Sequence, residues 1–346
     1  MSELYPMPQF SYEQVINVER KPEHCAVDHD QLVLETDLAQ EELDNFFGTQ
    51  IEDYRGDRNK IAAKMNEAAV DEVVYLQEGS PTELTQLEKD IPEACWKMGE
   101  IFNKVFKRRE LDKAFAKAKD NHDSVEMDKI SLEVDHLNIY SAEWQNQLVK
   151  MMFILEQTEE GKSFLQFYWE KFDELGQEIL GNDPEEFKAI KNGALGLKAS
   201  MEIFESQGWE AYMAFPEQDA IQKIDLWVKK GNNMLAVQIK SRASMMYLSG
   251  TKVDRYENPN GYSRDEAKEI RQRNLLLTSA REYDKLWRLK NPDLQVRAYW
   301  MLVSTSEVMY DQDPNTGKLF LPPDFTASKF AVELAALEGG PNGQAV

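Results

Sequence analysis

Residues 223–240 read KIDLWVKKGNNMLAVQIK, two apolar runs about a Lys-Gly-Asn-Asn turn. Side chains alternate across a strand, so Ile224, Leu226 and Val228 are expected on one face of the first run and Asp225 and Trp227 on the other. In the second run Leu235, Val237 and Ile239 share a face, which sends Gln238 and Lys240 together to the opposite one. Lys229-Lys230-Gly231-Asn232-Asn233 is rich in residues that tolerate positive φ and closes the runs into an antiparallel hairpin. The pattern predicts that Asp225, Gln238 and Lys240 converge.

The flanks extend this unit in both directions. Residues 188–207 place Ala194, Leu197, Met201 and Phe204 at the spacing of one helical face, and Gly208 follows as a stop. WEAYMAF at 209–215 predicts a first strand ahead of the hairpin. Residues 265–290 predict a long amphipathic helix, and LQVRAYWMLV at 294–303 a buried fourth strand. Between hairpin and helix, the Gly, Pro and Asn of 243–264 predict a long loop beside the candidate site, where Tyr247, Tyr256 and Tyr262 can meet a substrate.

An acid on one strand and a (D/E)xK tripeptide on the next, set in the order helix, three strands, helix, strand, resembles the PD-(D/E)xK nuclease superfamily. The likeness is to its small Holliday-junction-resolvase-like and restriction-endonuclease-like members, and it covers about a third of the chain, residues 188–303. Asp225 matches the acid and Gln238-Ile239-Lys240 the tripeptide, with glutamine in place of a carboxylate. The implied fold class is α+β: an N-terminal helical bundle, then an α-β-β-β-α-β core about a mixed central sheet.

The resemblance also implies a chemistry, metal-dependent hydrolysis of DNA phosphodiesters in the manner of an endonuclease. Asp225, Gln238 and Lys240 would form the catalytic set. Magnesium or manganese would be held by Asp225, the Gln238 side-chain carbonyl and the Ile239 backbone carbonyl, with Glu217 as a further candidate, because hard cations take oxygen ligands. Lys240 would orient or deprotonate the attacking water, or stabilise charge at phosphorus. Arg242, Arg264, Lys268 and Arg271 are candidates to track DNA phosphates, with Arg273, Arg281, Lys285 and Arg288 beyond them. The amide at 238 removes one negative charge from such a site, which leaves a catalytically silent nucleic-acid-binding or adaptor protein of the same fold as the alternative.

Length and charge frame these expectations. A chain of 346 residues with 42% hydrophobic content can bury two cores. Glycine, asparagine and proline in GNDPEEF, 181–187, mark a boundary, giving an acidic helical domain over 1–185, a nuclease-like domain over 186–330 and a flexible tail over 331–346. Residues 1–185 hold 19 Lys+Arg against 41 Asp+Glu and residues 186–346 hold 21 of each, so the net charge of −22 belongs to the first part. At physiological salt the Debye length is about 8 Å, so a distant acidic domain does not forbid DNA at a locally neutral site. It can also dock a basic protein partner or select the target.

Residues 38–180 are rich in helix formers, with helices expected at 51–77, at 82–119 with a break near Pro92, and within 141–180. Their tryptophans and phenylalanines read as interhelix packing. His24, Cys25 and His29 lack the second ligand pair that a zinc site needs and read as loop. His122 and His136 belong to no triad or HExxH pattern, and no phosphate-binding GxxxxGK[ST] loop occurs. Two cysteines, no apolar run near the ~20 residues of a membrane helix and no signal-like N-terminus lead to an expectation of cytoplasmic residence without membrane contact.

Overall fold

The computed structural model describes residues 9–17, 40–41, 101, 104, 107–180, 185–242, 249–304, 311–312, 319–320, 332 and 334–335. The helix expected at 51–77, residues 82–100 of the one expected at 82–119, residues 24–29 and most of the tail lie outside the described residues, whereas 107–119 of the second helix are helical. The chain divides into two compact units, one of Met1–Tyr5 and Lys21–Lys191, the other of Pro6–Arg20 and Asn192–Val346.

The described part of the first unit consists of helices joined by short turns. Residues 107–120 are helical and turn at His122, whose φ is 56°, into α2, Ser124–Leu155. Asp123 caps α2, its Oδ1 accepting from the Glu126 amide at 3.0 Å. Across this turn Leu111, Ala118 and Ile130 pack with Phe115, Met127, Val134 and Leu137. A short break at 156–158 leads to α3, Glu159–Leu180, where the Thr158 hydroxyl accepts from the Gly161 amide. Trp144 of α2 stacks on Phe172 of α3 and Trp169 meets the same ring edge-on, so these aromatics form core, as expected.

The second unit is built on a five-stranded mixed sheet. Its strands are β1 (Glu210–Met213), β2 (Leu226–Lys230), β3 (Asn233–Arg242), β4 (Ser249–Val253) and β5 (Gln295–Ser304), in spatial order β1-β2-β3-β5-β4. β1, β2 and β3 are successive antiparallel neighbours, and β5 runs parallel to β3. That parallel step requires a crossover, which is α5, Arg264–Arg288. Ser263 caps α5 in a reciprocal box with Glu266, which also holds the Glu266 carboxyl below its usual range. Helix α4, Glu185–Ser206, precedes β1.

Parity decides which side of the sheet each helix covers. Met234, Ala236, Val296, Ala298 and Trp300 join Leu276, Leu277, Ala280, Tyr283 and Trp287 of α5 in one core. The opposite face meets α4, where Phe204 packs edge-on against Tyr299. A Cβ on Gly196 of α4 would fall 1.8 Å from the Ser241 hydroxyl of β3, so glycine permits this close approach of helix to strand. Gly231, at φ 57°, begins the two-residue hairpin turn between the paired Lys230 and Asn233.

Three expectations need correction. Residues 243–264 are not one loop: 249–253 form the edge strand β4, antiparallel to β5, with Thr251 opposite Trp300. Ile224 does not share a face with Leu226 and Val228 but joins the core of Trp227 and Ala236. Lys223, at φ 60°, turns the backbone just before it and breaks the alternation. The third concerns the boundary, since residues 6–20 belong with the second unit. Ser11 and Gln14 box the start of a short helix, α1, Tyr12–Ile16. Phe10 stacks on Phe215 at 4.2 Å, Val15 is fully buried, and the Trp287 indole donates to the Phe10 carbonyl at 2.9 Å. Apolar side chains 200 to 280 positions away hold this segment, which local periodicity does not reveal.

Candidate active site

The hairpin and its preceding turn bring four polar side chains to the α5 side of the sheet, at the C-terminal end of β3. Asp225 is fixed through its backbone, for its amide donates to the Val237 carbonyl at 2.8 Å and its carbonyl accepts from the Ala214 amide at 3.2 Å. Its side chain is buried, with Oδ2 accepting from Gln238 Nε2 at 2.5 Å and from the Ile239 amide at 2.6 Å. Two expected residues thus meet as the hairpin register requires. Gln238 Oε1 is buried with no hydrogen-bond partner. A buried amide oxygen in that state lacks about 1–3 kcal/mol of compensation. Ile239 is buried, and because the N–H and C=O of one strand residue point to the same edge, its carbonyl faces the side where pairing with β2 has ended.

Lys240 is half-buried on the same face as Gln238, its ammonium 5.5 Å from the Trp300 ring centroid. Its charge works against the raised pKa values of the two nearby acids without outweighing their loss of water. A second cation shares that ring: the Arg273 guanidinium of α5 stands 5.6 Å from the Trp300 centroid, and Arg273 Nε is buried without an acceptor. Its other bond, to Glu257, is long at 3.5 Å.

The acid facing Asp225 is Asp219, within a π-helical turn spanning Gln218–Gln222. Asp219 is half-buried, and the loss of water around its carboxyl raises the pKa well above its ordinary value; the Asp225 charge raises it further, while Lys223 and Lys240 oppose. Burial also raises Asp225, against Lys240, the Ile239 amide, Asp219 and Gln238. The contact between the two carboxyls raises Asp219 and lowers Asp225, which makes Asp219 the weaker acid of the pair. Glu217, the expected acid of this stretch, instead precedes the π-helical turn at its N-cap and makes no cap hydrogen bond.

The turn is held by a buried amide network. Gln218 Oε1 accepts from the Trp227 indole at 3.1 Å and from the Phe215 amide at 3.0 Å. Gln218 Nε2 donates to the Tyr283 hydroxyl at 2.9 Å, which in turn donates to Gln222 Oε1 at 2.9 Å. The same burial pushes the Tyr283 phenol up, against those two glutamine bonds. The Lys223 ammonium closes the turn on the Ala220 carbonyl.

The remaining expected residues fall elsewhere. Arg264, Lys268 and Arg271 are solvent-exposed along α5. Arg242 lies in β3 opposite Ser304, and its side chain is outside the described residues. Arg281 donates to the Asp254 carbonyl and Arg288 to the Leu294 carbonyl, so both brace loops. Linear reading missed Asp219, because no strand or helix period runs through a π-helical turn. Its only signal was position, six residues ahead of Asp225.

Asp219, Asp225, Gln238 Oε1 and the Ile239 carbonyl offer oxygens, the atom type that hard divalent cations take as ligands. No group of three His, Cys, Asp or Glu suited to a metal occurs among the described residues, so such a site would rest on two carboxylates and neutral oxygens. No described helix is long and apolar enough to cross a membrane. No family model, curated protein or solved structure matches this chain.

Proposed function

We propose that the second unit is a metal-dependent DNA endonuclease of the PD-(D/E)xK type in which glutamine replaces the second acid. The observation that carries this reading is the meeting of Asp225 with Asp219, Gln238 and Lys240 on one face at the end of a parallel strand pair. A buried acid and a half-buried one that compete for a proton, beside an orphaned buried amide oxygen, suit a cation better than they suit each other. The element order α4, β1, β2, β3, α5, β5 about a mixed sheet supports the reading, with β4 at the sheet's edge beside β5.

Asp219, Asp225, Gln238 Oε1 and the Ile239 carbonyl would hold magnesium or manganese. Such an ion, when bound, supplies charge neutralisation at phosphodiester oxygens and activation of water. Asp225 is held ready by two donors to one oxygen, which leaves Oδ1 outside those bonds. Lys240, above Trp300 and in reach of the acids, orients the nucleophilic water and moves its proton. Arg273 places a second positive group against the same ring, where it can neutralise phosphate charge. The exposed Arg264, Lys268 and Arg271 supply a sequence-independent path for the DNA backbone. The acidic helical unit would then select the target or a basic partner.

Purified protein with magnesium or manganese should cleave plasmid or branched DNA. Asp225→Ala and Lys240→Ala should each lower turnover by about 10³-fold or more, the scale of losing a cation ligand or a proton-transfer group. Equal cleavage by wild type and both variants rejects the assignment.

One observation favours a second reading, a silent binding or adaptor module. The Gln238 amide already donates to Asp225, so the cluster is closed by a shared proton and an amide bond without any ion. Melting with and without magnesium separates the two, since a bound cation must raise Tm by mass action. An unchanged Tm, together with no cleavage, leaves the adaptor.

A further inference from the structure

The first unit contains a cavity of about 380 Å³ whose chemistry contradicts the charge of its surroundings. Residues 1–185 carry an excess of 22 acids, yet residues 104–119 hold seven of their nineteen Lys+Arg against two acids. Three of those cations, Lys104, Arg108 and Arg109, line the cavity. Arg108 is set in place by two bonds, Nε to Asp112 Oδ1 at 3.1 Å and Nη1 to Asn138 Oδ1 at 3.0 Å, which leave Nη2 outside them. Ile101, Leu137, Trp144 and Ile190 supply the apolar part of the lining, and Ser141 and Gln145 add neutral polar groups. Trp144 is 1% exposed and its indole N–H has no acceptor.

We propose that this cavity binds a phosphate monoester with a flat apolar body, of the size of a nucleoside 5′-monophosphate. An inorganic phosphate would fill only a small part of a cavity in the small-molecule range. The guanidinium of Arg108, with Lys104 and Arg109, takes the phosphate as charge-assisted donors. The body lies on the Leu137, Ile190 and Trp144 wall, and an acceptor on it satisfies the indole N–H. This site is independent of the proposed nuclease function, because every residue named belongs to the first unit.

The test uses the full-length chain in calorimetry and thermal melting with AMP, GMP, CMP and UMP, against inorganic phosphate and adenosine as controls. At least one monophosphate should bind at least about tenfold more tightly than either control, the loss expected when charge-assisted bonds or the apolar wall go unused. Arg108→Gln and Arg109→Gln should each weaken that nucleotide about tenfold while keeping the unliganded Tm. Trp144→Phe keeps the wall and removes the donor, so it serves if the arginine variants fail to fold, and it should weaken binding as well. Asp225→Ala should bind as wild type does. The proposal is overturned if no monophosphate binds, if inorganic phosphate binds equally well, if the first-unit variants bind unchanged, or if Asp225→Ala abolishes binding.

Discussion

Two neighbouring stretches of the second unit deliver the two acids of the candidate site by opposite means. The hairpin 225–242 positions its groups by strand periodicity: the β2–β3 register, continued to Asp225 by its amide bond to the Val237 carbonyl, fixes a face at each rung, and Asp225, Gln238 and Lys240 follow from it. The connection 214–224 has no period. It is a π-helical turn with a left-handed residue at Lys223, and Asp219 reaches the site because buried amides lock that turn onto Trp227 and Tyr283. A repeating backbone bond pattern encodes position along the whole strand. A turn held by side chains encodes it only through partners that are distant in sequence.

Substitutions can break this contrast. Trp227 serves both stretches, packing on Tyr283 and Trp287 from the hairpin and donating to Gln218 in the connection. Trp227→Ala should cost about 4 kcal/mol in chemical denaturation, through lost burial and an unfilled cavity. Gln218→Ala should cost about 3 kcal/mol, since it strands the Trp227 indole, the Phe215 amide and a Tyr283 partner in a buried place. It should also cut metal affinity by disordering Asp219 while leaving the hairpin intact. A loss below about 1 kcal/mol would show that strand packing, not the amide network, holds the connection.

Gly196→Ala probes the other face of the hairpin. A methyl there meets the Ser241 hydroxyl and Cβ, at 1.8 and 2.9 Å, on a short side chain with little room to yield. Overpacking of this kind costs about 2 kcal/mol. Gly196→Ala combined with Ser241→Gly should recover part of that loss in a double-mutant cycle, and additive losses would contradict the contact.

This division explains what the linear sequence disclosed. The mixed sheet, α4, α5 and the hairpin were readable because each has a period that matches its burial, and Asp225 with Gln238 met as that period demanded. Ile224 was misplaced by one left-handed residue that no alternation anticipates. The edge strand β4, SGTKV, carries too few apolar residues to stand out from its loop and pairs only because β5 offers an open side. Arg273 was visible as one cation among several on α5, but nothing local distinguished it from the exposed Arg271. Its place at the ring that Lys240 also approaches depends on Trp300, a partner 27 positions along the chain.

The smallest expected effect is also the most diagnostic. Burial and the Asp225 charge raise the Asp219 pKa, so the folded chain holds this proton after the unfolded chain has released it. The stability contributed by the protonated acid is complete below the ordinary carboxylate range, near pH 4. It is lost as pH rises from there through the raised folded value. Asp219→Asn keeps a donor toward Asp225 and cannot ionise, so it removes this slope. In metal-free buffer the variant and wild type should therefore converge in Tm toward pH 4 and separate above it, with the variant the more stable. Adding magnesium should narrow or reverse the gap at neutral pH, because only the wild type keeps both carboxylates to bind the cation. Parallel Tm profiles across this range would mean that the two acids do not share a proton, and the connection would then lose its part in the site.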